Sequence, residues 1–327
     1  MPKALITTVP FGDKNRLPLE LLDNAGIEYL INPLNTKLTE DQLADMVSDF
    51  DVIIAGTEPI TEKVMNNASN LKMISRVGIG LDSVDLLAAR ERDIKVSYTP
   101  DAPAPAVAEL TLGMMLTLLR SVHVSNSQMH KGEWQRIFGR RLAEITVGVI
   151  GVGRIGGRVL RRTKPFGTPK LLVNDIMPNY KMNPELKLDW VTKEQIYAEA
   201  DVICLHLPLT KLTKNVVRKE QLLSMKKDAI IINPSRGGII NEQDLYDVMM
   251  AGHLSGAAID VFEKEPYDGN LAEIERCLLT AHMGSMSIDC RTRMEIEATE
   301  EAVRFLTQNR QEGAVPQAEY DVQSEGL

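Results

Sequence analysis

A chain of 327 residues, 44% hydrophobic and 25% charged, has the material for two domains of ordinary size with real cores. Its net charge of −8 carries no basic block, which argues against nucleic acid as a partner. Cys204, Cys277 and Cys290 are scattered and odd in number, so they suggest neither a disulfide framework nor a metal-ligand pattern, and no metal is expected.

The opening "MPKALITTVPFGDKNR" lacks the apolar core of a secretory signal, and no apolar run approaches the ~20 residues needed to cross a bilayer. A soluble cytoplasmic protein with no membrane partner is expected. From the N-terminus, "KALITT", "IEYLINP", "DVIIAG", "KMISRVG" and "KVSYT" are predicted strands. "LPLELLDNAG", "TEDQLADMVSD", "TEKVMNNASN" and "VDLLAARERD" are predicted helices between them. The alternation predicts a parallel sheet covered on both faces, a small flavodoxin-like domain.

"TPDAPAPAVAEL" then places prolines at 100, 103 and 105, a rigid crossing segment. One long apolar helix is predicted from near Pro105 through "AVAELTLGMMLTLLRSVHVSNSQMHKGEW", with a surface broad enough to pack against another domain or subunit. A second alternating set starts at Ile145. Its predicted strands are "TVGVIG", "KLLVND", "DVICLHLP", "DAIIINPS", "GAAIDVF" and "CLLTAH", a Rossmann-type sheet. "SIDCRTRMEIEATEEAVRFLTQ" is predicted as a helix returning to the first domain, and the polar tail from Asn309 as extended or disordered. The expected fold class is therefore α/β, two doubly wound parallel-sheet domains. Residues 1–100 and 286–327 are expected to form a flavodoxin-like domain. Residues 101–285 are expected to form a Rossmann domain that opens with the crossing helix and its arm.

The chemistry starts at "VGVIGVGRIGG". Glycines at 151, 153 and 156 fall where a strand gives way to a helix. Gly151 suits a tight turn, Gly153 a close backbone approach to a pyrophosphate, and Gly156 helix-on-strand packing; Arg154 and Ile155 lie in the same loop. A ligand-free glycine turn has the same local pattern, so context decides. "LLVND" follows and ends in Asp175, a carboxylate that can accept the two ribose hydroxyls of an adenosine. No Arg follows closely, which favours NAD over NADP.

Three further strand ends carry polar groups: Arg236 in "NPSRGG", Glu265 in "AAIDVFEKEP" and His282 in "LLTAHMGS". Arg236 offers a planar fork for a carboxylate. His282 can pass a proton to or from a carbonyl oxygen, and Glu265 can hold the imidazole and favour its charged form. Singly, each serves equally well as an ion-pair partner, a loop acid or a satisfied histidine. Together at the carboxyl ends of one Rossmann sheet they point to hydride-transfer chemistry.

These segments resemble the D-isomer-specific 2-hydroxyacid dehydrogenases, a family that includes phosphoglycerate dehydrogenases. "GVGRIG", "NPSRGGIINEQDL", "GAAIDVFEKEP" and "AHMGS" resemble its signatures in order, and "RVGIGLDSVDL" and "APAVAELTLGMML" its first-domain loop and crossing helix, over roughly residues 3 to 308. The resemblance implies that Arg236, Glu265 and His282 are catalytic and that NAD is the cofactor. Backbone amides at Val77 and Gly78, with Arg76 beside them, then bind the substrate carboxylate. His206, Pro208 and Thr213 of "HLPLTKLT", Pro234 and Ser235 of "NPSR", Asp260 and Ser285 match family positions near the cofactor. Asp260 corresponds to an acid at the nicotinamide carboxamide. His206 and Thr213 also serve as plain loop residues. The resemblance makes residues 1–100 and 286–327 the substrate-binding domain and residues 101–285 the NAD-binding domain with a dimerisation helix and arm, and it implies a homodimer built near 105 to 145.

Departures exist. Ala281 stands where a proline often precedes the histidine, and "LAEIT" replaces the usual turn before the glycine motif. "AGTEPIT" carries Glu58 where phosphoglycerate-type members tend to have a base. The expected function is NAD-dependent interconversion of a small 2-oxo acid and a D-2-hydroxy acid. A 3-phosphoglycerate dehydrogenase and an NAD(H)-sensing scaffold are the alternatives.

Overall fold

The computed structural model describes residues 1–167 and 169–325. The chain divides into two compact units: residues Met1–Pro103 with Met286–Leu327, and residues Ala104–Ser285.

The first unit alternates β1 (Lys3–Ile6), α1 (Leu17–Asn24), β2 (Glu28–Ile31), α2 (Glu40–Met46), β3 (Val52–Ala55), α3 (Glu62–Asn66), β4 (Met73–Arg76), α4 (Leu86–Glu91) and β5 (Lys95–Tyr98). The five strands pair in parallel in the order β2-β1-β3-β4-β5, as the alternation predicts. All four residues of β3 and of β4 are buried, because helices cover both faces; β3 accordingly reads as a continuous apolar run rather than an alternating one. Side-chain caps start two of these helices. Thr39 and Gln42 form a reciprocal capping box on α2, and Asp85 accepts from the Ala88 N–H on α4.

The second unit begins with α5 (Ala104–Leu119) and α6 (Val122–His130). The single long helix expected here is two helices, bent by 65°. Two features end α5. Ser121 takes a left-handed backbone (φ 50°), and the Arg140 N–H donates to Leu119 O at 2.9 Å, satisfying a helix-end carbonyl from outside. No single helix among the described residues is long and apolar enough to cross a membrane.

The sheet of this unit contains β6 (Thr146–Ile150), β7 (Lys170–Asn174), β8 (Leu188–Trp190), β9 (Val202–Leu205), β10 (Ile230–Asn233), β11 (Gly256–Ile259) and β12 (Cys277–Leu279). Between them run α7 (Gly156–Thr163), α8 (Lys193–Glu199), α9 (Lys219–Ser224) and α10 (Glu242–Met250). The order is β12-β11-β10-β9-β6-β7-β8, every pair parallel. Six strands were expected and seven are present. The extra strand, β8, is three half-buried residues with Asp189 at its centre, pairing only with β7, so no apolar run announces it. The sheet reverses direction between β6 and β9, the switch point where open α/β sheets bind ligands.

The chain then returns to the first unit through α11 (Ile288–Gln308) and α12 (Gln317–Glu325). The described tail is not the extended or disordered segment expected. Its turn is fixed where the Glu301 carboxylate accepts from the N–H groups of Glu312 (2.7 Å) and Gly313 (2.8 Å). Ala314 then pairs antiparallel with Ser97, covering the open edge of β5. The polar composition hid this because the anchors are backbone groups and a buried acid rather than an apolar stripe.

Candidate active site

The glycine loop fills the switch point as the motif requires. Gly151 has φ 93°, and a Cβ there would lie 2.2 Å from His206 O. A Cβ on Gly156 would meet Gly151 O at 2.1 Å, so α7 can start against the loop only without a side chain. A Cβ on Gly153 would meet nothing within 4 Å: that position faces open space, which a pyrophosphate can use at the start of α7. Arg154 is exposed and Ile155 half-buried beside it.

Asp175 stands at the end of β7 and ties the loop down. Its Oδ2 accepts from the Val152 N–H (2.7 Å) and its Oδ1 from the Met177 N–H (2.8 Å). A carboxylate has about four lone-pair sites, so capacity remains for ribose hydroxyls. Ile176 and Met177 follow, 92% and 81% exposed, an apolar surface beside Asp175 that the sequence reading passed over.

His206 follows β9. Both ring nitrogens are buried without a hydrogen-bond partner, although part of the residue reaches the surface, and burial pushes its pKa down to about 3. It stays neutral at working pH, and the protein leaves the hydrogen bonds of its two ring nitrogens unmade, while its backbone carbonyl lies against Gly151. Thr213 is committed to its own turn: its hydroxyl donates to Pro208 O (2.6 Å) and accepts from the Thr210 N–H (2.8 Å). The residues present fit a bound dinucleotide.

The catalytic candidates sit at the ends of three adjacent strands, β10, β11 and β12. The Glu265 carboxylate lies 3.0 and 3.1 Å from His282 Nδ1, and its Oε1 also accepts from the Phe262 N–H at 3.2 Å. With Nδ1 engaged, Nε2 is the ring atom left to exchange a proton with a reactant. Arg236 is braced from below: Asn233 Nδ2 donates to Arg236 O (2.8 Å), while Asn233 Oδ1 accepts from the N–H (3.1 Å) and hydroxyl (2.7 Å) of buried Ser235. Pro234 is buried between them. Asn233 was not singled out from sequence, though its place before Pro-Ser-Arg is a usable signal.

Asp260 has a role the sequence did not reveal. It is fully buried, and its carboxylate accepts from Thr280 Oγ1 (2.5 Å), the Met283 N–H (2.7 Å) and the Gly284 N–H (2.8 Å). Burial raises its pKa against those hydrogen bonds. The turn they build presents His282 with φ 51°, an uncommon conformation for a side-chain-bearing residue. Ser285, half-buried, follows that turn.

In the first unit, Arg76 ends β4 and is buried, with its guanidinium folded over Gly78 (φ 142°) and donating to Val77 O. Both expected amides already have partners. Val77 N–H donates to Ala55 O (2.9 Å), continuing the ladder, and Gly78 N–H to Thr99 Oγ1 (2.8 Å). A carboxylate there must share or replace these bonds. Glu58 is also 2% exposed and engaged by the Thr7 hydroxyl and the Gly56 N–H (2.8 Å). It does not stand out as a free acid, so its charge is no argument against a phosphorylated substrate. The lack of a base in "AGTEPIT" remains.

No group of His, Cys, Asp or Glu among the described residues is placed to hold a metal ion. A glycine loop and adjacent acid at a Rossmann switch point, with an imidazole–carboxylate pair two and three strands away, define a dinucleotide-dependent dehydrogenase.

Residues 112–284 match the family described as "D-isomer specific 2-hydroxyacid dehydrogenase, NAD binding domain". The chain is 32% identical over 297 residues to the hydroxypyruvate reductase of Thermotoga maritima, covering 87% of this chain and 96% of that protein. It is 39% identical over 258 residues to the D-3-phosphoglycerate dehydrogenase of Methanocaldococcus jannaschii, covering 76% of this chain but only 48%, about half, of that relative. Among solved structures, the TT0316 protein of Thermus thermophilus superposes with a TM-score of 0.87 at 31% identity, covering 96% of this chain and 100% of that one. The chain therefore belongs to the D-isomer-specific 2-hydroxyacid dehydrogenase family: it is an NAD-dependent oxidoreductase that interconverts 2-oxo acids and D-2-hydroxy acids.

Proposed function

We propose that the substrate is a small unphosphorylated 2-oxo acid, glyoxylate or hydroxypyruvate, reduced with NADH by Arg236, Glu265 and His282. The observation that carries the assignment is the Glu265–His282 pair at 3.0 Å, at the strand ends beside Arg236. The NADH, when bound, supplies a hydride to the carbonyl carbon. His282 Nε2 gives the proton to the carbonyl oxygen, and Glu265 stabilises the imidazolium that donates it. Arg236 binds the carboxylate through its fork and polarises the carbonyl. Gly151, Gly153, Arg154, Ile155 and Gly156 hold the pyrophosphate, Asp175 the ribose, and Ile176 supports the adenine. His206, Pro208, Thr213, Pro234, Ser235, Asp260 and Ser285 frame the nicotinamide side. Residues 104–285 are thus the cofactor domain, and the first unit contributes substrate binding through Arg76, Val77 and Gly78.

The choice of an unphosphorylated acid rests on the absence of a base in "AGTEPIT" and on similarity to a hydroxypyruvate reductase along almost all of that protein's length. The test is kcat/KM for glyoxylate, hydroxypyruvate and 3-phosphohydroxypyruvate, side by side with NADH. A clear preference for the phosphorylated acid overturns the proposal. We also propose a cytoplasmic homodimer, supported by Trp134 (78% exposed) and a fully exposed Phe138 on the arm. A monomer at micromolar concentration in analytical ultracentrifugation refutes the dimer.

A further inference from the structure

We propose that Gln323, on the C-terminal helix α12, is a positioning residue for substrate binding: its side-chain amide holds the segment 81–86, and through it the Val77–Gly80 backbone, in the conformation that receives the 2-oxo acid. The inference rests on the substrate-loop assignment made above.

The segment is tied from two sides. On one side Ile60, in the "AGTEPIT" loop, accepts from the Asp85 N–H (3.0 Å) and donates its own N–H to Ser83 O (2.7 Å). On the other side stands Gln323. Its Oε1 accepts from the Leu86 N–H at 2.9 Å, and its Nε2 donates to Val84 O at 2.8 Å and toward Leu81 O at 3.4 Å. The Leu86 N–H is the first of α4 and has no partner within that helix. A primary amide offers a donor and an acceptor on separate atoms of one side-chain end, which suits a carbonyl and an N–H two residues apart.

The position of Gln323 is set independently of the loop. Tyr320 lies under the Arg90 guanidinium, 5.0 Å from ring centroid to charge, and packs on the unit's core. Val315 is buried, and Glu301 fixes the turn at Glu312 and Gly313. The tail is thus anchored on α4, β5 and α11 before it reaches the loop. Releasing the amide frees residues 81–86 on that side and lowers the fraction of molecules with the loop in place. Apparent substrate affinity falls by that fraction, while the chemistry of correctly bound substrate is unchanged.

The test uses the full-length chain with Gln323→Met, which keeps length and helix propensity without the hydrogen bonds, and Gln323→Glu, which keeps the acceptor and loses the donor. Hydrogen exchange is followed over residues 78–90, together with steady-state kinetics on glyoxylate and hydroxypyruvate. The expected result for Gln323→Met is faster exchange there and a rise in KM for the 2-oxo acid on the order of tenfold. Its kcat and KM for NADH stay within twofold, and Gln323→Glu lies between Met and the unaltered chain. Unchanged exchange, faster exchange without a change in KM, a fall in kcat instead of a rise in KM, or a lower melting temperature alone each overturns the proposal. If the unaltered chain turns over neither acid, the proposed function has failed, whereas the exchange comparison still reads the grip of Gln323 on the loop.

Discussion

Gly237 sits between the Arg236 loop and the Glu265 loop, and replacing it with alanine is the sharpest test of how the site is built. A Cβ at 237 would lie 2.0 Å from Phe262 C, 2.1 Å from Phe262 O and 2.5 Å from Glu263 N. All three are backbone atoms, so no side chain can swing aside. Ordinary contact begins at 3.4 Å, so the two loops must part by about 1.4 Å. Neither loop yields easily. Phe262 stacks on Tyr267 with centroids 4.1 Å apart, the Glu263 N–H donates to Glu242 Oε1 at 2.8 Å, and the Asn215 N–H donates to Gly238 O at 2.6 Å. Overpacking of this kind costs about 1–3 kcal/mol. In a unit of this size that lowers the melting temperature by roughly 2–12 °C. The larger effect is on rate. Parting the loops moves Glu265, hence His282, relative to Arg236, and a misplacement of about 1 Å costs about 100-fold in turnover. NADH binding should change less than turnover, because the glycine loop and Asp175, proposed to hold the pyrophosphate and ribose, stand on β6 and β7, beyond β9. Gly26→Ala, where a Cβ meets nothing within 4 Å but φ is 65°, is the control: it should cost stability and leave kcat unchanged. The measurements are kcat and KM with a 2-oxo acid, and NADH affinity by fluorescence titration. A Gly237→Ala variant with unaltered kcat would refute the reasoning.

Other expectations follow from single contacts. His282→Ala should lose about 100- to 10,000-fold in kcat while still binding NADH; normal turnover would remove the imidazole from the mechanism. Asp175→Ala deprives Val152 and Met177 of their acceptor and removes the charge that repels a 2′-phosphate. Affinity for NADH should drop and the kcat/KM gap between NADH and NADPH should narrow; an unchanged ratio would exclude Asp175 from cofactor choice. His206 is neutral in the fold down to about pH 3, whereas an unfolded histidine takes up its proton near pH 6.5. Its depressed pKa therefore leaves stability intact above pH 6.5 and removes it progressively as pH falls toward 3, by up to a few kcal/mol. Urea unfolding of His206→Phe should show a flatter pH profile in that window, and an unaltered slope would refute the burial argument.

Much of this protein is legible without coordinates. Strands such as "DVIIAG" and "DAIIINPS" are buried on both faces, so their apolar runs are self-evident, and their alternation with helical segments fixes a parallel sheet. The glycine loop and Asp175 are equally plain, because the turn admits only glycine at 151 and 156 and a strand end fixes where the acid lies. Other features depended on groups far apart in sequence. β8 exists because β7 offers it an open edge, not because "LDW" prefers a strand. The long apolar helix breaks at Ser121 because Arg140, from a later segment, takes the carbonyl of Leu119. The polar tail is ordered because Glu301 and the edge of β5 supply partners for its backbone. Glu58 looks like a free acid in a loop, and only the fold gives it Thr7 and Gly56. Likewise Asp260 matches a cofactor position in sequence, and only the fold adds that its carboxylate builds the turn that carries His282. Local patterns record what each segment demands of its own backbone and faces; they do not record which distant donor meets which acceptor, and in this chain those meetings set the geometry of the site.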